Sequence, residues 1–339
     1  MRKMLLGFVV VLVVSFAAYL HFHHSKRPVA AAYAANRDVI LWNTTAQVRE
    51  PVATLNYGDR LDVLERSGEQ VKVRTAAGAI GWTSQSDLLS ADYWRKAQDL
   101  EAETAAAPVE ARGHTKVLSN LHLEPGRDAA RIRQLSKGVP VEFYARQPLD
   151  VPAAAAPAPV AAADESASGA PPEAKKEDWW LVRAHLTDQG GPGATVSGWL
   201  IGRFVELDVP APLPDYASSA GMRIVAWFEL NRVPDAAGGS KAQYLVAGIH
   251  GPEGQACDFT MLRVFTWGKQ GQRYETAYVE GNLCGKLPLK LTQLPGRDAT
   301  FTFEDSSHGA AQQRTYRMHQ TVVRRVKESG ASPAGQSHG

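Results

Sequence analysis

The sequence predicts an all-β chain: two small barrels followed by an antiparallel β sandwich or barrel, behind an N-terminal transmembrane helix. Three observations lead there. Short runs with apolar residues at every second position recur along most of the 339 residues, which is the period of half-buried strands. Glycine-centred turns separate them, as at Tyr57-Gly58-Asp59, Ser67-Gly68-Glu69 and Ala77-Gly78. One pattern also occurs twice, in the same order. The formal net charge of +2 and a charged fraction of 21% supply no field for gathering nucleic acid, so that partner class is set aside. The length leaves room for two or three small domains.

Met4 to Leu20 carries no charge and follows Met1-Arg2-Lys3. As a helix it would span about 25 Å, the short end of what crosses a bilayer. A cleaved signal peptide is the competing reading. Ser15-Phe16-Ala17 offers a small-x-small site, and Ala32-Tyr33-Ala34 another beyond the charged Ser25-Lys26-Arg27. No cysteine follows the segment, which excludes a lipoprotein anchor. We read residues 1–36 as an uncleaved single-pass anchor, with the membrane contact through residues 4–20. His21, His23 and His24 at its outer end lack partners at ligand spacing and are polar residues at headgroup level, not metal ligands.

The first barrel is expected over residues 37–90. Asp38 to Leu89 holds five short strands, with Leu61, Val63, Val71 and Val73 facing inward, and closes on Gly81-Trp82 and a polar turn before Leu88-Leu89. Residues 91–113 form a linker in which Tyr93 to Ala102, rich in helix formers, predicts a short polar helix. Residues 114–208 then repeat the pattern. Val139 to Phe143 matches Arg60 to Leu64, Trp180-Leu181-Val182-Arg183 matches Val71-Lys72-Val73-Arg74, and Ser197-Gly198-Trp199 matches Ile80-Gly81-Trp82. An Ala/Pro-rich insert, residues 148–178, interrupts the second copy; without apolar periodicity it reads as a disordered or polyproline-like loop. Loop-closure entropy grows slowly with length, so a barrel tolerates it.

These motifs resemble the bacterial Src-homology-3-like (SH3-like, SH3b) domain, found mostly in cell-envelope proteins. The resemblance implies a bacterial inner-membrane protein with its body in the periplasm or otherwise outside the cytoplasm. It also implies recognition of peptidoglycan peptide or another extended peptide. The acidic-aromatic loop that reads proline-rich ligands is absent, so that specificity is not carried over. Trp82 and Trp199 each follow a glycine; the ordinary reading is a large side chain closing the bottom of a small barrel. If Val71 and Val73 face inward, so do Trp180 and Val182, and period two turns Trp179 and Leu181 outward. An outward Trp-Leu pair is expected to contact a neighbouring domain or, failing that, to form a ligand platform. Trp179, Leu181, Trp82 and Trp199 are therefore the candidate ligand-binding residues.

Residues 215–327 predict a C-terminal antiparallel β domain of seven strands, followed by a disordered tail, 328–339. Tyr244 to Glu280 is similar to one propeller blade, but the region is too short for the four blades a propeller needs. Cys257 and Cys284 are the only cysteines. Outside the cytoplasm they read as a disulfide, stabilising by about 3.5 kcal/mol on the chain-entropy model. A catalytic thiol is the alternative, but in envelope peptidases that use one the Asp precedes the Cys at a helix start, whereas Asp258 follows Cys257 in a strand pattern.

No other chemistry assembles. Ser307-His308-Gly309 is followed by Ala310, where a peptidoglycan transpeptidase motif would need its cysteine. Gly-x-Ser-x-Gly, His-Glu-x-x-His and a phosphate loop are missing, so no cofactor or metal is expected. The expected function is non-enzymatic: a membrane-anchored envelope protein whose barrels bind peptidoglycan peptide or another envelope protein. One alternative is an accessory protein that regulates a separate cell-wall hydrolase. Another is an enzyme of unfamiliar type, which would need a pocket near Cys257, His308 or His250.

Overall fold

The computed structural model describes residues 28–151, 176–186, 194–268, 270–294 and 298–326. The anchor expected over residues 4–20, the three histidines after it, most of the insert and the C-terminal tail lie outside the described residues. Among the described residues, no helix is long and apolar enough to cross a membrane. What is described is mostly β, in four antiparallel sheets.

The first sheet contains β1 (Ala30–Ala34), β2 (Val39–Trp42), β3 (Pro51–Leu55), β4 (Arg60–Ser67), β5 (Gln70–Thr75), β6 (Ile80–Ser84) and β7 (Leu88–Ser90), in the order β3-β2-β6-β5-β4-β1-β7. It curls around one core of Ala32, Ala34, Val39, Leu41, Leu55, Leu61, Val63, Val71 and Val73, so we call it the first barrel. Seven strands stand where five were expected. The unforeseen β1 lies before Asp38 and pairs with both β4 and β7. Its sequence, Ala-Ala-Ala-Tyr-Ala, has no polar-apolar alternation to announce a strand, and small residues suit a strand closing against two neighbours.

The second sheet repeats the first. Its strands are β8 (Ala111–Thr115), β9 (Ser119–His122), β10 (Arg131–Leu135), β11 (Pro140–Asp150), β12 (Lys176–His185), β13 (Thr195–Ile201) and β14 (Val205–Leu207), in the order β10-β9-β13-β12-β11-β8-β14. Adding seven to each strand number of the first order gives the second. The register agrees as well: Val73 opposes Val63 and Gly81, and Val182 opposes Phe143 and Gly198. Even the bulge recurs, between Val63 and Glu65 in one copy and between Phe143 and Ala145 in the other. In contrast to the expected loop over 148–178, β11 runs to Asp150 and β12 starts at Lys176, with Pro148 opposite Asp178. This extended hairpin reaches beyond the barrel.

Helix α1 (Ala91–Ala106) joins the barrels; Ser90 caps it by accepting a hydrogen bond from the Tyr93 N–H at 3.2 Å. It is wedged between them rather than free. Trp94 stacks on Tyr33 of the first barrel with ring centres 4.9 Å apart. On its other side Glu101 accepts from Arg183 Nε at 2.9 Å and Ser197 Oγ at 2.7 Å in the second.

A helix of about two turns, α2 (Leu213–Ser219), leads to two four-stranded meanders: β15 (Met222–Pro234), β16 (Ser240–His250), β17 (Met261–Gly268) and β18 (Arg273–Glu280), then β19 (Gly285–Leu294), β20 (Asp298–Asp305), β21 (Gln312–His319) and β22 (Val322–Arg325). Eight strands replace the expected seven, because the run Arg314 to Val326 folds back on itself at Gln320, whose φ is 55°. The two sheets share a core in which Leu245, Ala247, Leu262 and Val264 of one meet Phe301, Phe303, Tyr316 and Met318 of the other. That core is continuous with the interior of the second barrel.

Candidate functional site

Strand register builds one open rung of side chains on the outer face of the first barrel. Leu41 points inward, so Trp42 points out; β6 sets Trp82 directly beside it, and β5 sets Lys72 beside Trp82. Arg49, from the loop before β3, lays its guanidinium 4.3 Å from the centre of the Trp42 ring. The Lys72 ammonium lies 5.6 Å from that of Trp82. Each contact is worth roughly 0.5–1 kcal/mol at an exposed site, enough to orient the cation without burying it. Among the described residues neither Arg49 nor Lys72 has an ion-pair partner. Beside the rung runs a groove of about 360 Å³ walled by Ile40, Trp42, Arg49, Gln70 and Ser84. Glu65 stands opposite Lys72 on β4, and Asp38 and Asp87 also line the groove, but among the described residues none of them pairs with Arg49 or Lys72. Two tryptophans flanked by two cations thus make a surface for an anion joined to apolar or planar groups.

This placement corrects the expectation for Trp82 and Trp199. Neither closes a barrel bottom. In β6 and β13 the inward positions next to them are Gly81 and Gly198, so period two sends both indoles outside, half-buried. The glycines are required by close approach: a Cβ at Gly81 would stand 2.8 Å from Leu41 Cβ, and one at Gly198 would stand 2.6 Å from Leu121 Cγ.

Trp179 and Leu181 do occupy outward strand positions, but they are covered, 0% and 4% exposed. Neither offers a platform. Among the described residues, the ring and hydrogen-bond partners of Trp179 come from its own barrel. His122, which stands where the first barrel has Trp42, meets its ring edge-on at 5.4 Å. Its Nε1 donates to Glu177 at 3.2 Å. Arg127, in the loop between β9 and β10, also donates to Glu177, at 2.8 Å, and Arg203 does so at 2.9 Å. The Arg127 hydrogen bonds foremost, then Arg203, hold the Glu177 carboxyl below the usual carboxylate range. Leu181 sits between Ala145 and Trp199 on the adjacent strands, on a face that α1 crosses. The open face is therefore on the first barrel, which sequence reasoning credited with Trp82 alone. The signal it missed was Trp42 at the end of β2.

The extended β11–β12 hairpin clasps the C-terminal domain through Arg146, whose side chain is fully buried. Its guanidinium donates to Asp178 at 2.6 Å, Asp258 at 3.2 Å, and the carbonyls of Cys257 and Gln255 at 2.9 and 3.0 Å. Cys257 and Cys284 form a disulfide that ties the β16–β17 loop to the start of β19. A second contact is Glu110, just before β8: it accepts the Leu289 N–H at 3.0 Å and is wholly buried. Burial, offset in part by that hydrogen bond, pushes its carboxyl up to about 8.

Cys257, His250 and His308, near which an enzyme would need its pocket, each have a partner. Cys257 is in the disulfide. His250 Nε2 faces the Ala220 carbonyl at 3.3 Å. Ser307 Oγ donates to Asp305 at 2.6 Å and lies 2.8 Å from His308 Nδ1. That is the wrong order for a nucleophilic triad, in which the histidine must stand between serine and acid. Among the described residues, no group of three or more His, Cys, Asp or Glu side chains is placed to hold a metal ion.

The fold and its surfaces thus define a class: a β protein with two like seven-stranded barrels, one face open and its counterpart sealed, clasped to a two-sheet domain. No family model matches the chain, and no curated protein matches it. Among solved structures it is similar to an NlpC/P60 family protein from Bacillus cereus ATCC 10987, at 12% identity over 84% of this chain and 93% of that one, with a TM-score of 0.21. It is also similar to NlpC2 from Trichomonas vaginalis, at 10% identity over 90% and 94%, with a TM-score of 0.16. Overlaps this loose assign neither a fold family nor a chemistry.

Proposed function

We propose that this is a non-enzymatic binding protein of the bacterial cell envelope, held at the inner membrane by residues 4–20, whose first SH3-like barrel takes a carboxylate-bearing peptide of peptidoglycan. The observation that carries the reading is the rung Arg49–Trp42–Trp82–Lys72, an outward, half-buried pair of indoles with two cations that form no ion pair among the described residues. The repeated topology supports a module copied for its scaffold, with the second copy turned to internal packing. Charge-assisted hydrogen bonds to carboxylates favour the peptide stems of the wall over its neutral sugars.

The test is co-sedimentation of the purified full chain with isolated peptidoglycan sacculi. Saturable pelleting that falls at least about tenfold in Arg49→Ala/Lys72→Ala supports the proposal. Pelleting that the double variant retains moves the wall site off this face. No pelleting by the native chain removes the wall as partner and leaves an envelope protein as the ligand.

A further inference from the structure

A second recess lies where the second barrel meets the C-terminal domain, a cleft of about 350 Å³. Its apolar wall is built by Phe143, Trp180, Val205, Leu207 and Ile224, with the Phe143 and Trp180 rings packed edge to face at 5.4 Å. Three cations also line it: Lys116, Arg203 and Arg223. Arg203 is engaged by Glu177. Among the described residues Lys116 has no ion-pair partner for its ammonium. Arg223 has one, Asp178 Oδ2 at 3.3 Å, and its buried terminal nitrogen there makes no hydrogen bond. A guanidinium offers five N–H donors in a planar fork, so most of this one's capacity is unspent.

Two acids share the lining, Asp178 and Glu253. Asp178 takes hydrogen bonds from Arg146 and the Gly254 N–H, at 2.6 and 2.9 Å, through Oδ1, while its buried Oδ2 accepts none and lies 3.3 Å from Arg223. Glu253 is half-buried on the cleft wall. An apolar wall facing convergent charged groups can seat a small ligand that carries both characters, and this volume is at the small end of the range for such sites.

We propose that this cleft binds an acylated apolar amino acid through its free carboxylate, as found at the C-terminus of a peptide. The carboxylate pairs with Arg223 and Lys116, the side chain lies against Trp180 and its apolar neighbours, and the adjacent amide N–H is offered to Glu253. The site is separate from the rung on the first barrel, and its standing does not depend on wall binding.

Calorimetric titration of the full chain tests it, with N-acetylleucine and N-acetylalanylleucine as probes and their C-terminal amides as controls. Both acids are expected to bind saturably, and the amides at least about tenfold more weakly, since each loses a charge-assisted contact. Lys116→Gln alters an exposed side chain and should weaken the acids about three- to tenfold, leaving the melting temperature unchanged. Tighter binding of the dipeptide than of N-acetylleucine identifies a peptide terminus as the source; equal binding identifies a free acylated amino acid. Acid and amide binding alike, an unchanged affinity in Lys116→Gln, or no saturable heat from either acid overturns the proposal.

Discussion

Replacing Arg146 by Met tests the clasp between the second barrel and the C-terminal domain. The substitution keeps most of the aliphatic stem but removes a guanidinium that donates to two buried carboxylates and two carbonyls. Breaking a buried ion pair from one side costs about 3–5 kcal/mol, because the partner charge is left behind. Here Arg223 remains 3.3 Å from Asp178 and Lys286 remains 3.5 Å from Asp258. Both acids therefore retain a cation, and the lower end of that range, about 3 kcal/mol, is expected. Differential scanning calorimetry is the assay, since a chain of several units is not obliged to unfold in one step. In the native chain the second barrel and the sandwich, which share one core, should melt together. In Arg146→Met that transition should fall and split. Asp258→Asn on the variant background should cost less than on the native one, with a coupling of about 1–3 kcal/mol. A loss below about 1 kcal/mol with the transition still single would show that apolar packing alone joins the two units and would refute the reasoning.

Two further outcomes follow from local geometry. Glu110 holds its proton to about pH 8 when folded, against an ordinary value of 4.5. The folded state thus binds a proton that the unfolded chain has released, and stability should decline as pH rises from about 4.5 to 8 and then level off. The whole effect is on the order of 4–5 kcal/mol at about 1.4 kcal/mol per unit. Glu110→Gln should flatten a plot of melting temperature against pH and exceed the native chain above pH 8; parallel curves for the two would contradict this. Gly198→Ala must push a Cβ to within 2.6 Å of Leu121 Cγ and 2.8 Å of the His122 carbonyl. It should destabilise by about 1–3 kcal/mol in denaturant unfolding, and a neutral result would show that β9 can move away from β13.

Much of the architecture is set by local pattern. Alternation at Leu61, Val63, Val71 and Val73 defines strands because a pleated sheet turns every second side chain to one face. The Gly-Trp pairs at 81–82 and 198–199 reveal a repeat that the matching strand orders and bulges then display in three dimensions. The two cysteines, alone in the chain, pair as their number suggests.

What local pattern leaves open is which outward face stays open. Trp179 and Leu181 stand outward by period and are nonetheless covered, because Arg127 pins a distant loop to Glu177 and α1 lies across β12 and β13. Trp42, Arg49, Trp82 and Lys72 come from separate segments, and only cross-strand register sets them side by side. The Arg146 clasp joins residues more than a hundred positions apart in the chain. Periodicity tells which way a side chain points from its own strand. Whether water or another part of the chain meets it there depends on long-range packing, and only the tertiary structure decides that.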